Sequence, residues 1–180
     1  MNKLIEKIKW KYNLRKNLDS FFSRKRKEQD FPNVLDGFVF VVTDSDFGLA
    51  MMIINDLEKK GAKVYKLEHE LCDMSDTKNI EAFCESIKSK ETKLDGIINL
   101  ASCMNSNYET NELGIEKTFA SNVVSPYLIF KNLYHLMEKS ESPRVLVVLN
   151  PFFLNEKLEP NDISFSSMKY GGWKVFIQCE

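Results

Sequence analysis

Four short apolar runs, Phe38–Thr43, about Lys63–Leu67, Gly96–Ala101 and Val145–Leu149, are separated by segments whose apolar residues recur at helical spacing. No other property of the chain constrains its fold so strongly. After Phe38–Thr43 comes a turn containing Gly48, then a helix with Met52, Ile53 and Leu57 expected inward and Gly61 closing it. Ser75–Lys88 reads as a helix burying Ile80, Phe83, Cys84 and Ile87, and roughly 115–137 as a long one whose Ile129, Leu133 and Leu136 belong to the core. A final helix is expected to open near Tyr170. Strands that alternate with helices in this way pair in parallel, because each return to the sheet is made through a crossover helix. Only Glu68, His69 and Glu70 separate Leu67 from Leu71, too few for a further crossover of about a dozen residues. One strand and its helix are therefore missing, and the sheet should hold four or five strands.

Charge divides the chain. Residues 1–30 carry ten Lys/Arg against four Asp/Glu, leaving fifteen against twenty-two in the remainder, so a net −1 hides +6 followed by −7. Leu4, Ile5, Ile8 and Tyr12, then Leu14, Leu18, Phe21 and Phe22, lie at helical spacing among the basic residues. The reading is a basic amphipathic segment over 1–30 and an α/β domain over 31–180. Such a segment either packs on a protein or lies along an anionic membrane surface. Arg24-Lys25-Arg26-Lys27, with no aromatic residues interleaved, is read as solvated and not as a nucleic-acid site. The apolar runs are too short to cross a bilayer, and the lysine-studded N-terminus is unlike a signal peptide. A cytosolic chain is expected, with peripheral membrane association as the second option. Cys72, Cys84, Cys103 and Cys179 form no CxxC pair, and only His69 and His135 are available beside them, so no metal site is expected.

Tyr170 and Lys174 stand one helical turn apart in Tyr170-Gly171-Gly172-Trp173-Lys174. On a helix the two would share a face, where the ammonium would lower the phenol pKa. Spacing alone decides nothing, since Tyr12 and Tyr127 also have lysines four residues on. Order along the chain does. Thr43-Asp44-Ser45-Asp46-Phe47-Gly48-Leu49-Ala50, then Asp73, Ile98-Asn99-Leu100-Ala101-Ser102, Asn122, and Tyr170 with Lys174 follow one another as the motifs TGxxxGxG, Asp, NNAG, Asn and YxxxK do in the short-chain dehydrogenase/reductase family, which the chain resembles from Phe38 onward. The stretches Leu113–Lys117, Phe119–Asn122 and Pro143–Val145 are similar to its member-12-like branch.

The resemblance implies a Rossmann-like fold, an NAD or NADP cofactor and oxidoreduction of a small lipophilic carbonyl or alcohol. In the family the tyrosine moves the proton, the lysine holds the nicotinamide ribose, the asparagine is structural and relays protons, and a serine polarises the carbonyl. Carried over, Tyr170, Lys174, Asn122 and Asn150 take the catalytic positions. Thr43, Asp44, Ser45, Phe47, Gly48, Leu49, Glu68, Asp73, Asn99 and Ala101 take the cofactor-binding ones, with Glu68 at the ribose favouring NAD or, alternatively, a plain strand-end glutamate.

Three departures weaken the inherited chemistry. The phosphate turn keeps one glycine of three, with Asp44 and Ala50 at the other two places and Asp46 adding a second carboxylate. Each carboxylate near a phosphate costs about 4 kcal/mol at a surface-like dielectric. Asn150 stands where the serine is expected. The chain also stops at Glu180, inside the helix that Tyr170 opens, so the resemblance implies a truncated domain. Three readings remain: a degenerate member that binds its cofactor weakly and turns over little or nothing, a working reductase, and a non-catalytic binding, scaffold or truncated product.

Overall fold

A computed structural model describes residues 34–43, 48–68, 73–149, 160–166 and 170–179. The N-terminal segment, Asp44, Ser45, Asp46, Phe47 and Asn150 lie outside the described residues. Four strands form one parallel sheet: β1 (Val39–Thr43), β2 (Lys63–Leu67), β3 (Gly96–Asn99) and β4 (Arg144–Val147), in the spatial order β2-β1-β3-β4. Between them run α1 (Gly48–Lys59), α2 (Thr77–Lys88) and a long helix made of α3 (Lys117–Phe119), a π-helical turn at Ala120–Val124 and α4 (Ser125–Met137); α5 (Gly172–Cys179) follows β4. The expected parallel α/β architecture is present. Among the described residues β2 ends the sheet on its side, in keeping with the short segment after Leu67.

β1 is the central strand, pairing β2 in register Val39 with Lys63 through Thr43 with Leu67, and β3 in register Phe40 with Gly96. Successive side chains of a strand face opposite ways, and β1 is apolar on both. Val39 and Val41, with Ile97 of β3, bury against Ile80, Cys84 and Ile87 of α2 and Ile129, Leu133 and Leu136 of α4. Val42 faces the other side, against Ala50, Ile54 and Leu57 of α1. Each fully buried Ile or Leu contributes about 1.5–3 kcal/mol through the water it sheds. One expectation is corrected here. α1 buries Ala50 and Ile54, whereas Met52 is 71% exposed, because the helix meets the sheet on a face rotated from the one its largest side chains suggest.

Local chemistry sets the helix starts. Asp76 caps α2, its Oδ1 accepting from the amides of Lys78 at 2.9 Å and Asn79 at 3.4 Å. Glu116 caps the long helix, Oε1 accepting from Thr118 N at 2.9 Å and Oε2 from Phe119 N at 2.8 Å. At the N-terminal end of the sheet the buried Asp95 accepts from Val39 N at 2.8 Å, Ser140 Oγ at 2.6 Å and Lys93 Nζ at 3.2 Å. It thereby joins β1, the start of β3 and the segment after α4. β4 differs from its neighbours: Val145, Leu146 and Val147 are each about half exposed, and so is Leu149 beyond it.

Candidate functional site

The sheet order reverses direction at β1, and the carboxyl ends of β1 and β3 lie side by side there, the place where open α/β sheets take ligands. Thr43 is fully buried at that point. Its hydroxyl donates to Asn99 Oδ1 at 2.9 Å and accepts from Leu100 N and Ala101 N, both at 3.1 Å. Thr43, Asn99 and Ala101 are thus brought together, but Thr43 spends its hydroxyl bonding on holding the strand ends in register. Gly48 opens α1 with no described atom within 4 Å of where a Cβ would stand, and the exposed Leu49 follows it. Glu68 lies directly after β2, whose last residue, Leu67, pairs with Thr43.

Asp73 is exposed, and its Oδ1 accepts from the backbone and hydroxyl of Ser75, both at 2.8 Å, shaping the turn into α2. That turn is fastened to the β3–α3 loop and to α4: Asn111 Nδ2 donates to Ser75 O at 2.9 Å and Ser125 Oγ to Met74 O at 2.5 Å. Asn122 occupies the π-helical turn, an irregularity that recurs at functional places in helices. It exchanges two hydrogen bonds with one residue, donating from Nδ2 to Cys103 O and accepting at Oδ1 from Cys103 N, both at 2.8 Å. The asparagine therefore fixes the chain two residues past Ala101.

Tyr170 and Lys174 are not brought together as expected. α5 begins at Gly172, so Tyr170 precedes the helix, while Lys174 sits exposed in its first turn. The Tyr170 hydroxyl donates to Glu116 Oε1 at 2.8 Å, with Asn105 O a longer second acceptor at 3.3 Å. Its ring meets the edge of Tyr108 at 5.5 Å. Burial pushes the phenol up, the Thr118 hydroxyl draws it back and the Glu116 carboxylate pushes it further, leaving it at about 12 against an ordinary 10.0. The expected lowering by lysine is replaced by the opposite shift, because burial first and then the Glu116 carboxylate disfavour the phenolate.

The loop between β3 and α3 is held from several sides. Asn105 N donates to Thr118 Oγ1 at 3.1 Å. A Cβ on Gly172 would stand 2.0 Å from Asn105 O, so only glycine lets α5 start against this peptide. Glu116, Asn105 and Thr118 were not among the residues expected in the site. The available signal was a glutamate directly ahead of a helical run, a capping position where Ser, Thr, Asp or Asn is commoner.

These positions can be set beside known proteins. The family model for short chain dehydrogenases matches residues 34–150, well over half of the chain. The chain belongs to the short-chain dehydrogenase/reductase family. It is 29% identical over 167 residues to dehydrogenase/reductase SDR family member 12 of Homo sapiens, covering 80% of this chain and 52% of that protein. Retinol dehydrogenase 14 of Mus musculus is 22% identical over 166 residues, covering 74% and 50%. The chain thus spans about half the length of these relatives. Among solved structures, a putative uncharacterized protein from Mycobacterium paratuberculosis superposes with a TM-score of 0.68 at 19% identity, covering 83% of this chain and 59% of that one. A short-chain dehydrogenase/reductase from Serratia marcescens gives 0.54 at 18% identity, covering 81% and 66%. Both likenesses support the fold. The member-12-like resemblance seen in Leu113–Lys117 and Phe119–Asn122 is borne out.

The family generally uses NAD or NADP, and the described residues fit such a cofactor only in part. The backbone frame suits it: parallel strand ends at a switch point, and a glycine at the start of α1 with no described atom within 4 Å of its Cβ position. The polar side chains fit less well, since Thr43 and Asn99 satisfy each other and neighbouring amides.

Proposed function

We propose that this chain is a degenerate short-chain dehydrogenase/reductase, one that binds nicotinamide dinucleotides weakly and turns over no carbonyl or alcohol. The observation that carries this reading is the separation of the proton-transfer pair, with the Tyr170 phenol donating to a buried carboxylate and Lys174 exposed. General acid–base help is worth about 10²–10⁴-fold, and it requires a donor whose proton is free to leave for the substrate at working pH. A phenol raised to about 12 and engaged with an anion is a poor donor of that kind. Asp44 and Asp46 in the phosphate turn add repulsion where a diphosphate is to approach.

Calorimetry with NAD(H) and NADP(H) tests the first half, and affinity no tighter than about millimolar is expected. The triple variant Asp44→Gly, Asp46→Asn, Ala50→Gly should bind more tightly. Assay against retinoid, steroid and aliphatic carbonyls tests the second half, and no nicotinamide-dependent turnover is expected. Low-micromolar binding by the unmodified chain, or turnover abolished by both Tyr170→Phe and Lys174→Ala, overturns the reading. The similarity to relatives that include retinol dehydrogenases favours a second reading, in which the chain acts on a lipophilic alcohol or aldehyde. The same assay decides between the two.

A further inference from the structure

The reading of Tyr170 as disengaged from proton transfer leaves open what the tyrosine does instead and which residue decides it. Resting on that reading, we propose that Glu116 is the positioning residue of this site: its carboxylate holds the Tyr170 hydroxyl as a donor within the β3–α3 loop, so that the tyrosine clasps the lead-in to α5 onto that loop.

Glu116 is 1% exposed, and its oxygens receive three donors: Thr118 N and Tyr170 Oη on Oε1, and Phe119 N on Oε2. Two of these are the first free amides of the long helix, which also orients its partial positive charge toward the carboxylate. The helix start thus fixes the carboxylate before the tyrosine arrives, and the phenol is the third donor to a preset acceptor. The other groups around the phenol agree with a clasp. The Asn105 peptide lies between Thr118, Tyr170 and Gly172, and the Tyr108 ring covers the phenol from the loop side. Of the ionisable groups facing it, Glu116 comes from the loop and Cys179 from α5, and both disfavour a phenolate. A glutamate that caps a helix for purely local reasons would leave the tyrosine free to turn away, whereas here one oxygen serves the cap and the clasp together.

Tyrosinate absorbance near 295 nm on the full chain provides the test, in paired comparisons at pH 11. In the native background, Tyr170→Phe should remove only about a tenth of one tyrosinate, since a group titrating one unit higher is about one-tenth ionised. In the Glu116→Gln background, the same Tyr170→Phe change should remove a clearly larger share of one tyrosinate, because the anion opposing ionisation is gone while burial still opposes it. Loss of a whole tyrosinate in the native background overturns the proposal, as does a Tyr170 share that Glu116→Gln leaves unchanged. Circular dichroism at pH 11 establishes that each variant is folded. If high pH or the substitution unfolds the chain, proton NMR at neutral pH asks the same question. The Tyr170 hydroxyl proton, identified by its loss in Tyr170→Phe, should exchange with water more slowly than that of the exposed Tyr127, and equal exchange overturns the proposal. None of these readouts involves turnover. An active chain with a clasped Tyr170 would refute the degenerate reading alone, and an inactive chain with a freely ionising Tyr170 would refute the clasp alone.

Discussion

Two buried carboxylates, Asp95 and Glu116, do comparable work for the backbone and impose opposite consequences on their neighbours. Asp95, 3% exposed, sits where β3 begins and accepts from a strand amide, a serine hydroxyl and the Lys93 ammonium. Burial pushes its pKa up, but the Ser140, Val39 and Lys93 donors outweigh that, and it stands below its ordinary 3.8. Glu116, 1% exposed, sits at the far end of the loop that leaves β3 and accepts from two helix amides and a phenol, with no cation among its donors in the described residues. One anion is balanced by an ammonium and fixes the sheet. The other, balanced by amide dipoles, draws in the Tyr170 hydroxyl. A carboxylate's effect on function thus depends on what completes its shell.

The largest effect in that comparison should come from Asp95→Ala, which strands the Val39 amide and the Ser140 hydroxyl. Denaturant unfolding should register a loss of about 3 kcal/mol, and a loss below 1 kcal/mol would show that water replaces the carboxylate. Next comes Gly172→Ala, whose methyl meets the Asn105 carbonyl. About 2 kcal/mol is expected from overpacking, together with faster amide exchange in α5 but not in β1, which separates the Glu116 end from the Asp95 end. Thr43→Val keeps the shape and removes the hydroxyl between the strand ends, costing about 1–1.5 kcal/mol. An unchanged denaturation midpoint would remove Thr43 from the account.

The smallest effect is a pH dependence with a different sign at each end. Asp95 titrates lower folded than unfolded, so its stabilisation is complete above the ordinary carboxylate range and fades as pH falls through its lowered value. Tyr170 titrates higher folded than unfolded, so its share is complete below pH 10 and fades as pH rises toward about 12. Asp95→Asn should flatten the acid limb of stability against pH, and Tyr170→Phe the alkaline one. If either variant flattens the wrong limb, the comparison fails.

Much of the frame was legible because it rests on local pattern. Val39–Thr43 and Gly96–Asn99 are strand runs apolar on both faces, and Ile80, Cys84 and Ile87 recur at helical spacing, so each names its own environment. The lack of a strand and helix after β2 could be read from the few residues between Leu67 and Leu71, since chain length limits a crossover. The rotation of α1 could not, because Met52 and Ile54 are both apolar and only packing against Val42 selects between them. The candidate site was opaque in its geometry. That Thr43 and Asn99 bond each other at adjoining strand ends, and that Asn122 bonds Cys103, rests on contacts between distant parts of the chain. The Tyr170–Lys174 pair fails because Gly171 and Gly172 delay the helix until after the tyrosine, and because a glutamate 54 residues earlier supplies a stronger partner than the nearby lysine.

The half-exposed β4 has a consequence for the chain as a material. Val145 through Leu149 carry no charge and no proline, and the strand ends the described sheet with its outer amides and carbonyls unpaired in the ladder. Sheet edges with those properties are templates for adding more strands, and proteins that keep them in solution shield or charge them. Among the described residues, this aliphatic strand is therefore the stretch that most resembles an aggregation template. Val147→Lys, placed in the uncharged run from Val145 to Leu149, is the simplest change that would add repulsion to this strand.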